Sequence, residues 1–318
     1  MRNFKNLFLL IGIFGLASGA SSCSEGNKTF TTNEIKVKVA TPSKAPAVAL
    51  FAHLKEGNVE INSAANNVIA YLTTTSDKDM VIAPTNAGIS AIVQRNAEFK
   101  IAATVTFGNF YLLQTGKDTD GKLNEGDSVL AFQETNVAGR LFKYVYGDLN
   151  LNTTYLADVT AVKNEILTAK DNIGYGYVLL AQPDVNEILK LQTSYSVYAN
   201  VQNDFKTKSG GKEITQASIF VKNTSNKEDV VDALNTIKSD VDALLSNTSN
   251  LIEATQNVEN EVFLSKYGCT KEDLKSILDD GNQLGIGFKK AKDNKESIDE
   301  FISVFGMGKT SEEIYFNY

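Results

Sequence analysis

The chain has 318 residues, 42% of them hydrophobic and 22% charged, a composition that excludes a disordered protein and leaves room for two ordinary domains or one large one. Its formal charge of −7 gives it no electrostatic reason to seek nucleic acid or anionic lipid. The two cysteines, Cys23 and Cys269, are too few to staple a fold of this size, so stability has to come from a core, and Cys269 reads as a buried structural thiol.

The chain begins with Arg2 and Lys5, then the apolar run LFLLIGIFGL (Leu7 to Leu16), then the small residues ASGASSC ending at Cys23. The apolar run is too short to span a bilayer comfortably. The order of basic, apolar and small residues resembles a bacterial lipoprotein signal over residues 1–22, with Cys23 as the lipidated first residue of the mature protein. The expected location is extracytoplasmic, anchored by lipid to the outer face of the bacterial cytoplasmic membrane. Loss of Arg2 and Lys5 takes the basic residues from 31 to 29 against 38 acidic ones, a formal charge of −9. Attachment would then be through lipid and not through a basic face. The polar stretch SEGNKTFTTN within residues 23–33 reads as a tether.

From Ile35 the chain alternates between two periodicities. IKVKVA (Ile35 to Ala40) has strand alternation, Ala45 to Lys55 is helix-like, Val59 to Ile61 is a short strand and Ala64 to Leu72 a helix. Met80 to Ala83 is the next strand, Gly88 to Gln94 a helix and Lys100 to Phe107 a strand. This order predicts a parallel sheet covered by helices. The order then recurs. Strands are expected at Phe110 to Gln114, Ser128 to Phe132, Thr153 to Val159 and Tyr175 to Ala181, with helices at Asn136 to Tyr146, Ala161 to Lys170 and Val185 to Leu191. VYANVQ and ASIFVK (Ala217 to Lys222) close this part. From Lys227 onward the pattern predicts helices only, to about Phe305, broken near Ser246 to Asn250 and packed on a sheet rather than in a coiled coil.

The four prolines, Pro42, Pro46, Pro84 and Pro183, each fall where a predicted strand hands over to a helix. Proline suits a first helical turn, where its missing N–H is not needed. Neighbouring polar residues Ser43, Thr85, Asn86 and Gln182 can cap or line the same ends. In an open α/β sheet, ligands bind beyond the carboxyl ends of the strands, where helix N-termini present free N–H groups.

VATPSKAPAVALFAHLKEG, DMVIAPTNAGISAIVQRNAEFKIAATVTFGNFYLL, YGYVLLAQPDVNEIL and the ending IGFKKAKDNKESIDEFISVFGMGKTSEEIYFNY resemble, in order, extracytoplasmic substrate-binding proteins of ABC importers. They are similar to the nitrate, sulfonate and taurine type, which includes carriers of thiamine-related pyrimidines. TFGN (Thr106 to Asn109) stands where TWGN is the pattern, a change in a stacking surface. The resemblance implies an α/β, two-lobed, type II periplasmic-binding-protein fold: two open, mainly parallel sheets with flanking helices and a hinge. Lobe one would be residues 34–109 with 223–318 and lobe two residues 110–222, with crossovers near Phe107 to Tyr111 and Ile219 to Thr224. Such proteins close on ligand by hinge motion, and the closed form is what a permease reads. The implied partners are a small-molecule solute and an ABC permease, for a protein working as a monomer without a cofactor.

Catalytic chemistry finds little material. His53 is the one histidine; it reads as a satisfied imidazole and not as the base of a Ser–His–acid triad. A Cys/His cluster for zinc is lacking, so no metal site and no enzyme is expected. KDTDGKLNEGD (Lys117 to Asp127) has oxygens at Asp118, Asp120 and Asn124, but its glycine falls too early for an EF-hand, and a solvated hairpin is the better reading. Candidate ligand-binding residues are Ser43, Lys44, Thr85, Asn86, Thr106, Phe107, Asn109, Tyr111, Gln133, Glu134, Thr135 and Gln182. An oxyanion or sulfonate would use helix N-termini, Ser43, Thr85 and Lys44. A neutral or cationic heterocycle would stack on Phe107, Tyr111 or Phe132 and donate hydrogen bonds to Glu134 or Asn86. The heterocycle is slightly favoured, because Glu134 inside the cleft would repel an anion; if Glu134 faces solvent, that argument lapses. Two other functions compete: a surface interaction lipoprotein with a vestigial cleft, and an enzyme built around an acid–base pair near Glu134.

Overall fold

The structure is a computed structural model that describes residues 30–117 and 121–318. The signal segment, Cys23 and most of the tether lie outside the described residues, as do Asp118 and Asp120 of the calcium-like stretch.

The first unit begins with β1 (Val39–Pro42), a 3-10 helix (Ala45–His53), β2 (Val59–Asn62), α1 (Ala65–Ala70), β3 (Met80–Pro84), α2 (Thr85–Arg95) and β4 (Phe99–Thr106). The chain then crosses to β5 (Phe110–Gln114), β6 (Ser128–Phe132), α3 (Val137–Tyr146), β7 (Asn152–Leu156), α4 (Val159–Ala169), β8 (Tyr177–Ala181), α5 (Asp184–Leu191), β9 (Ser196–Asn200) and α6 (Val201–Lys208). It returns through β10 (Ala217–Lys222) and continues as α7 (Lys227–Ser246), α8 (Ser249–Thr255), α9 (Asn260–Tyr267), α10 (Lys271–Asp279), β11 (Ile286–Lys290) and α11 (Lys295–Ser303).

Two sheets result. The first has six strands in the order β11-β4-β10-β3-β1-β2, and the second five in the order β7-β6-β8-β5-β9. Most strands of each sheet point one way, but both sheets are mixed, which amends the expectation of mainly parallel pairing. Three of five pairings in the first sheet and two of four in the second are antiparallel. Four of the five follow from the crossing chain, since β10 returns reversed between β3 and β4 and β5 enters reversed between β8 and β9; the fifth is the edge strand β11, which runs against β4. At the crossing, Phe107 N–H donates to Gly285 O at 2.7 Å. Gly285, at φ +60°, passes so close to Gly108 that a Cβ there would lie 2.2 Å from Gly108 O, so only glycine fits.

Other expectations need correction. β10 belongs to the first sheet, so the return crossing falls ahead of Ala217 and not at Ile219 to Thr224. The C-terminal part is not wholly helical. β11 pairs with β4 at the sheet edge, where alternation over five residues is too short a signal to stand out. VYANVQ is strand only to Asn200, whose side chain accepts from the N–H groups of Gln202 and Asn203 and starts α6. The first strand lies at Val39–Pro42 and not over Ile35 to Ala40, although Ile35 and Val37 are buried. β5 and β6, the strands on either side of Lys117 to Asp127, do not pair with each other, because β8 lies between them.

Packing explains the elements. One face of the first sheet, with Val39, Met80, Ile82, Val105 and Ile219, meets the apolar stripe of α7 (Val230, Leu234, Ile237, Val241, Leu244) and the 3-10 helix. Its other face continues into the core of the second sheet through Val81, Ile101 and Phe220. Cys269 is buried and free; burial, then the nearby Asp273 and Asp184 charges, push its thiol up to about 12. Among the described residues no helix is long and apolar enough to cross a membrane.

Candidate functional site

All four prolines stand at strand-to-helix junctions: Pro42 ends β1, Pro46 lies in the first turn of the 3-10 helix, Pro84 caps α2 and Pro183 caps α5. The four prolines mark three junctions, Pro42 and Pro46 sharing one, and all three open onto one hollow of about 280 Å³. From the first sheet it takes the ends of β1 and β3 and the start of the reversed β10: Pro42, Pro84, Gln216 and Ala217. From the second it takes the ends of β6 and β8 and the start of the reversed β5: Phe132, Gln133, Ala181, Gln182 and Phe110. The cleft therefore lies where carboxyl strand ends of two sheets meet. Phe110 and Phe132 form an apolar wall, with ring centres 6.3 Å apart and planes tilted by 50°.

Five of the sequence candidates line this hollow: Ser43, Lys44, Asn109, Gln133 and Gln182. Asn109 and Gln182 hold each other across the crossing. Gln182 N–H donates to Asn109 O at 2.9 Å, and Asn109 Nδ2 donates to Gln182 O at 2.8 Å. The Gln182 side chain is spent on Gln283 and on the Asn186 N–H. Asn109 Oδ1 and Gln216 Oε1, by contrast, are buried acceptors without a partner among the described residues. Such orphans are costly unless something else donates to them.

The remaining candidates sit elsewhere. Thr85 is fully buried, and its hydroxyl shares a 2.7 Å hydrogen bond with that of Ser218. Asn86 is half-buried, and its Oδ1 has no partner among the described residues. Thr106 is fully buried and does not line the hollow. Phe107 packs under the Lys289 ammonium, 5.2 Å from its ring centre. Tyr111 is buried and its hydroxyl donates to Gln283 O at 3.1 Å; burial, then the Asp280 charge, push its phenol up to about 12. Glu134 and Thr135 are exposed, and Glu134 lines a separate hollow of about 250 Å³ with Phe142, Tyr146 and Tyr155. The anion-repulsion argument from Glu134 therefore lapses.

Other residues were passed over at the sequence level. Phe110, Asp158, Asp184 and Gln216 all line the cleft. Asp158 caps α4, accepting from Ala161 N–H at 2.8 Å. Asp184, almost fully buried, receives Lys163 Nζ at 2.9 Å and Lys44 Nζ at 3.1 Å. Burial pulls the Lys163 pKa down, but hydrogen bonds to Asp184 and Glu187 outweigh it and hold the group above its ordinary value. The signal for Asp184 was present: it directly follows Pro183 at the same kind of junction that singled out Gln182.

Charge around the cleft is thus largely self-compensated. The N-termini of α4 and α5 already carry Asp158 and Asp184, whereas the 3-10 helix, α2 and α3 begin with no side-chain cap and no acid in the first turn. The site offers helix starts without a side-chain cap, carboxamide oxygens without a partner among the described residues, and an aromatic wall. Among the described residues no group of three or more His, Cys, Asp or Glu side chains could hold a metal ion.

No family model matches the chain, and no curated protein matches it. Solved structures do. An ABC transporter protein from Parabacteroides distasonis is 13% identical, with a TM-score of 0.67 over 86% of this chain and 92% of that one. The periplasmic aliphatic sulphonate binding protein SsuA from Escherichia coli is 12% identical, with a TM-score of 0.60 over 90% and 93%. The alkanesulfonate-binding protein SsuA from Xanthomonas axonopodis pv. citri, bound to MOPS, is 14% identical, with a TM-score of 0.57 over 87% and 94%. At such identities the likeness establishes architecture: the chain has the fold of type II periplasmic binding proteins, that of the solute-binding components of ABC importers.

Proposed function

We propose that the protein captures a small, uncharged organic solute between two lobes and delivers it to an ABC permease, as a lipoprotein held at the outer face of the cytoplasmic membrane through Cys23. In this reading one lobe is built on residues 34–109 with the chain from β10 onward, and the other on β5 to α6. The observation that carries it is the hollow at the meeting of the strand ends, since a solute there would touch both lobes and so favour their closed arrangement. The expected solute has a flat apolar body against Phe110 and Phe132, donors for Asn109 Oδ1 and Gln216 Oε1, and acceptors for free helix N–H groups. A nitrogen heterocycle meets these demands. A sulfonate is the second reading. The uncapped helix starts favour it, while the engagement of Lys44 by Asp184 weighs against it.

Native mass spectrometry of the purified protein, followed by thermal shift against sulfonates, thiamine-type pyrimidines and flavins, tests this. A true solute at about one hundred times its Kd stabilises by about 2.7 kcal/mol. If the whole panel leaves Tm unmoved at about millimolar concentration and no mass is retained, the capture reading fails.

A further inference from the structure

Lys44 and Asp184 are 140 residues apart in sequence and belong to opposite sheets, yet they meet at the cleft with Nζ 3.1 Å from Oδ2. Their surroundings differ in a telling way. The Asp184 side chain is only 4% exposed, while that of Lys44 is 39% exposed. Asp184 lies in the first turn of α5, where a negative charge is favoured. Its other oxygen is held at 2.9 Å by Lys163, which comes from α4 of the same sheet unit and also reaches Glu187 at 2.9 Å. If the two units separate, Asp184 keeps Lys163 and is not left as an unpaired buried charge, and Lys44 turns to water. This ion pair can break at little cost, unlike a buried pair that loses its only partner.

The backbone at Lys44 is a second, independent observation. Lys44 adopts φ +67° and ψ −138°, a conformation that side-chain-bearing residues rarely hold. Its N–H donates to Lys266 O at 2.7 Å, and its carbonyl accepts from Ala47 N–H at 3.0 Å. The turn fixes the side chain's point of departure at the start of the 3-10 helix, at the rim facing α5. A strained lysine opposite a carboxylate already paired on its own side is the layout of a contact made for closing and opening.

We propose that Lys44 and Asp184 form a closure latch: the ion pair draws the two lobes together in the absence of solute, so that the empty cleft is already mostly closed. The latch rests on the two-lobed capture reading above, and regulates that same site. Solute would then enter through a minority open form and add its contacts to a closure already favoured. A solute carrying its own carboxylate or sulfonate would compete with Asp184 for Lys44 and weaken the latch.

The test is made on the empty protein without its lipid-bearing Cys23, residues 24–318, freed of retained solute by unfolding and refolding. Spin labels at exposed sites on the two units, Leu191→Cys and Val262→Cys in a Cys269→Ser background, report the distance between lobes. The expected result is a mainly short distance without solute. Lys44→Met should lower the closed-to-open ratio about two- to fivefold, and raising salt from about 0.05 to about 0.5 M should lower it more in the unmodified protein than in Lys44→Met, where the Lys190–Asp273 pair between α5 and α10 still spans the units. Lys163→Met serves as the counter-test: it strips Asp184 of its partner within the lobe, leaves the Lys44 contact, and should keep the short distance dominant. The latch is overturned if the empty protein is mainly open, if Lys44→Met leaves the distances unchanged while the variant melts cooperatively, or if Lys163→Met opens the lobes as far as Lys44→Met does. Because no solute is present, failure of the latch reads separately from failure of the capture reading, which the solute panel decides.

Discussion

The Nε2 of His53 lies 2.8 Å from Asp240 Oδ2, on α7, while its Nδ1 lies 2.8 Å from Glu56 Oε1. The ring is fully buried. Both carboxylates also reach the incoming N-terminal segment: Asp240 Oδ2 accepts from Thr32 Oγ1 at 2.6 Å, and Glu56 Oε2 from Ile35 N–H at 3.2 Å. The single histidine is a structural clasp that ties the end of the tether to the first sheet unit, and not a catalytic base.

Burial alone would lower the His53 pKa, but hydrogen bonds and charge from Asp240 and Glu56 outweigh it, so the folded value is raised. A raised folded pKa means the imidazolium stabilises the fold fully below the unfolded value of about 6.5, and that this stability is lost as pH rises through the folded pKa. Denaturation midpoints should therefore fall as pH is taken upward from about 6. His53→Gln should flatten that slope, and His53→Ala should cost about 3 kcal/mol or more by leaving two carboxylates facing each other. A wild-type midpoint that rises over the same span would refute the clasp's charged form.

Gly139, in the first turn of α3, lies under the loop that presents Gln133 to the cleft. A Cβ there would stand 2.4 Å from Gln133 O and 2.5 Å from Glu134 Cα. Both are backbone atoms, so the loop itself has to move. Gly139→Ala is expected to destabilise by about 1–3 kcal/mol and to weaken solute retention together with stability. Chemical denaturation and solute titration on the same sample check this; unchanged values in both would mean the loop is free to shift.

Gln216 lines the cleft, and its buried Oε1 has no partner among the described residues. Removing such an oxygen relieves a desolvation cost in the empty protein, while removing an acceptor from a bound solute weakens binding. Gln216→Ala should thus leave Tm within a few degrees of wild type or raise it, and lower solute affinity about tenfold, equivalent to about 1.4 kcal/mol. Calorimetric titration distinguishes this from a general loss of fold, in which both quantities drop.

Much of the secondary structure was legible because its causes are local. The alternation of Val81 and Ala83 against Met80 and Ile82, facing the two cores, is written in four consecutive residues. The helical spacing of Val230, Leu234, Ile237, Val241 and Leu244 likewise announces the stripe that α7 buries. β11 escaped because an edge strand with one partner and two lysines carries little alternation to read. Strand direction escaped as well, because reversal of β5 and β10 follows from where the chain crosses and not from their side chains.

Local chemistry also marked the rim of the cleft: proline at a strand end with polar neighbours led to Ser43, Lys44 and Gln182, which line it. Sequence could not separate Gln133, in the cleft, from Glu134, in another hollow one residue later, because the left-handed turn at Gln133 divides them. Nor could it foresee that Thr85 would be consumed by Ser218, or that Lys44 would meet Asp184. The sequence by itself determined the elements, their order and the junctions where ligand chemistry could gather, since propensity and periodicity act over a few residues. Tertiary structure alone decided which of those junctions share one hollow and which polar groups remain unspent there, since both depend on contacts between residues far apart in sequence, 73 positions for Asn109 and Gln182 and 140 for Lys44 and Asp184.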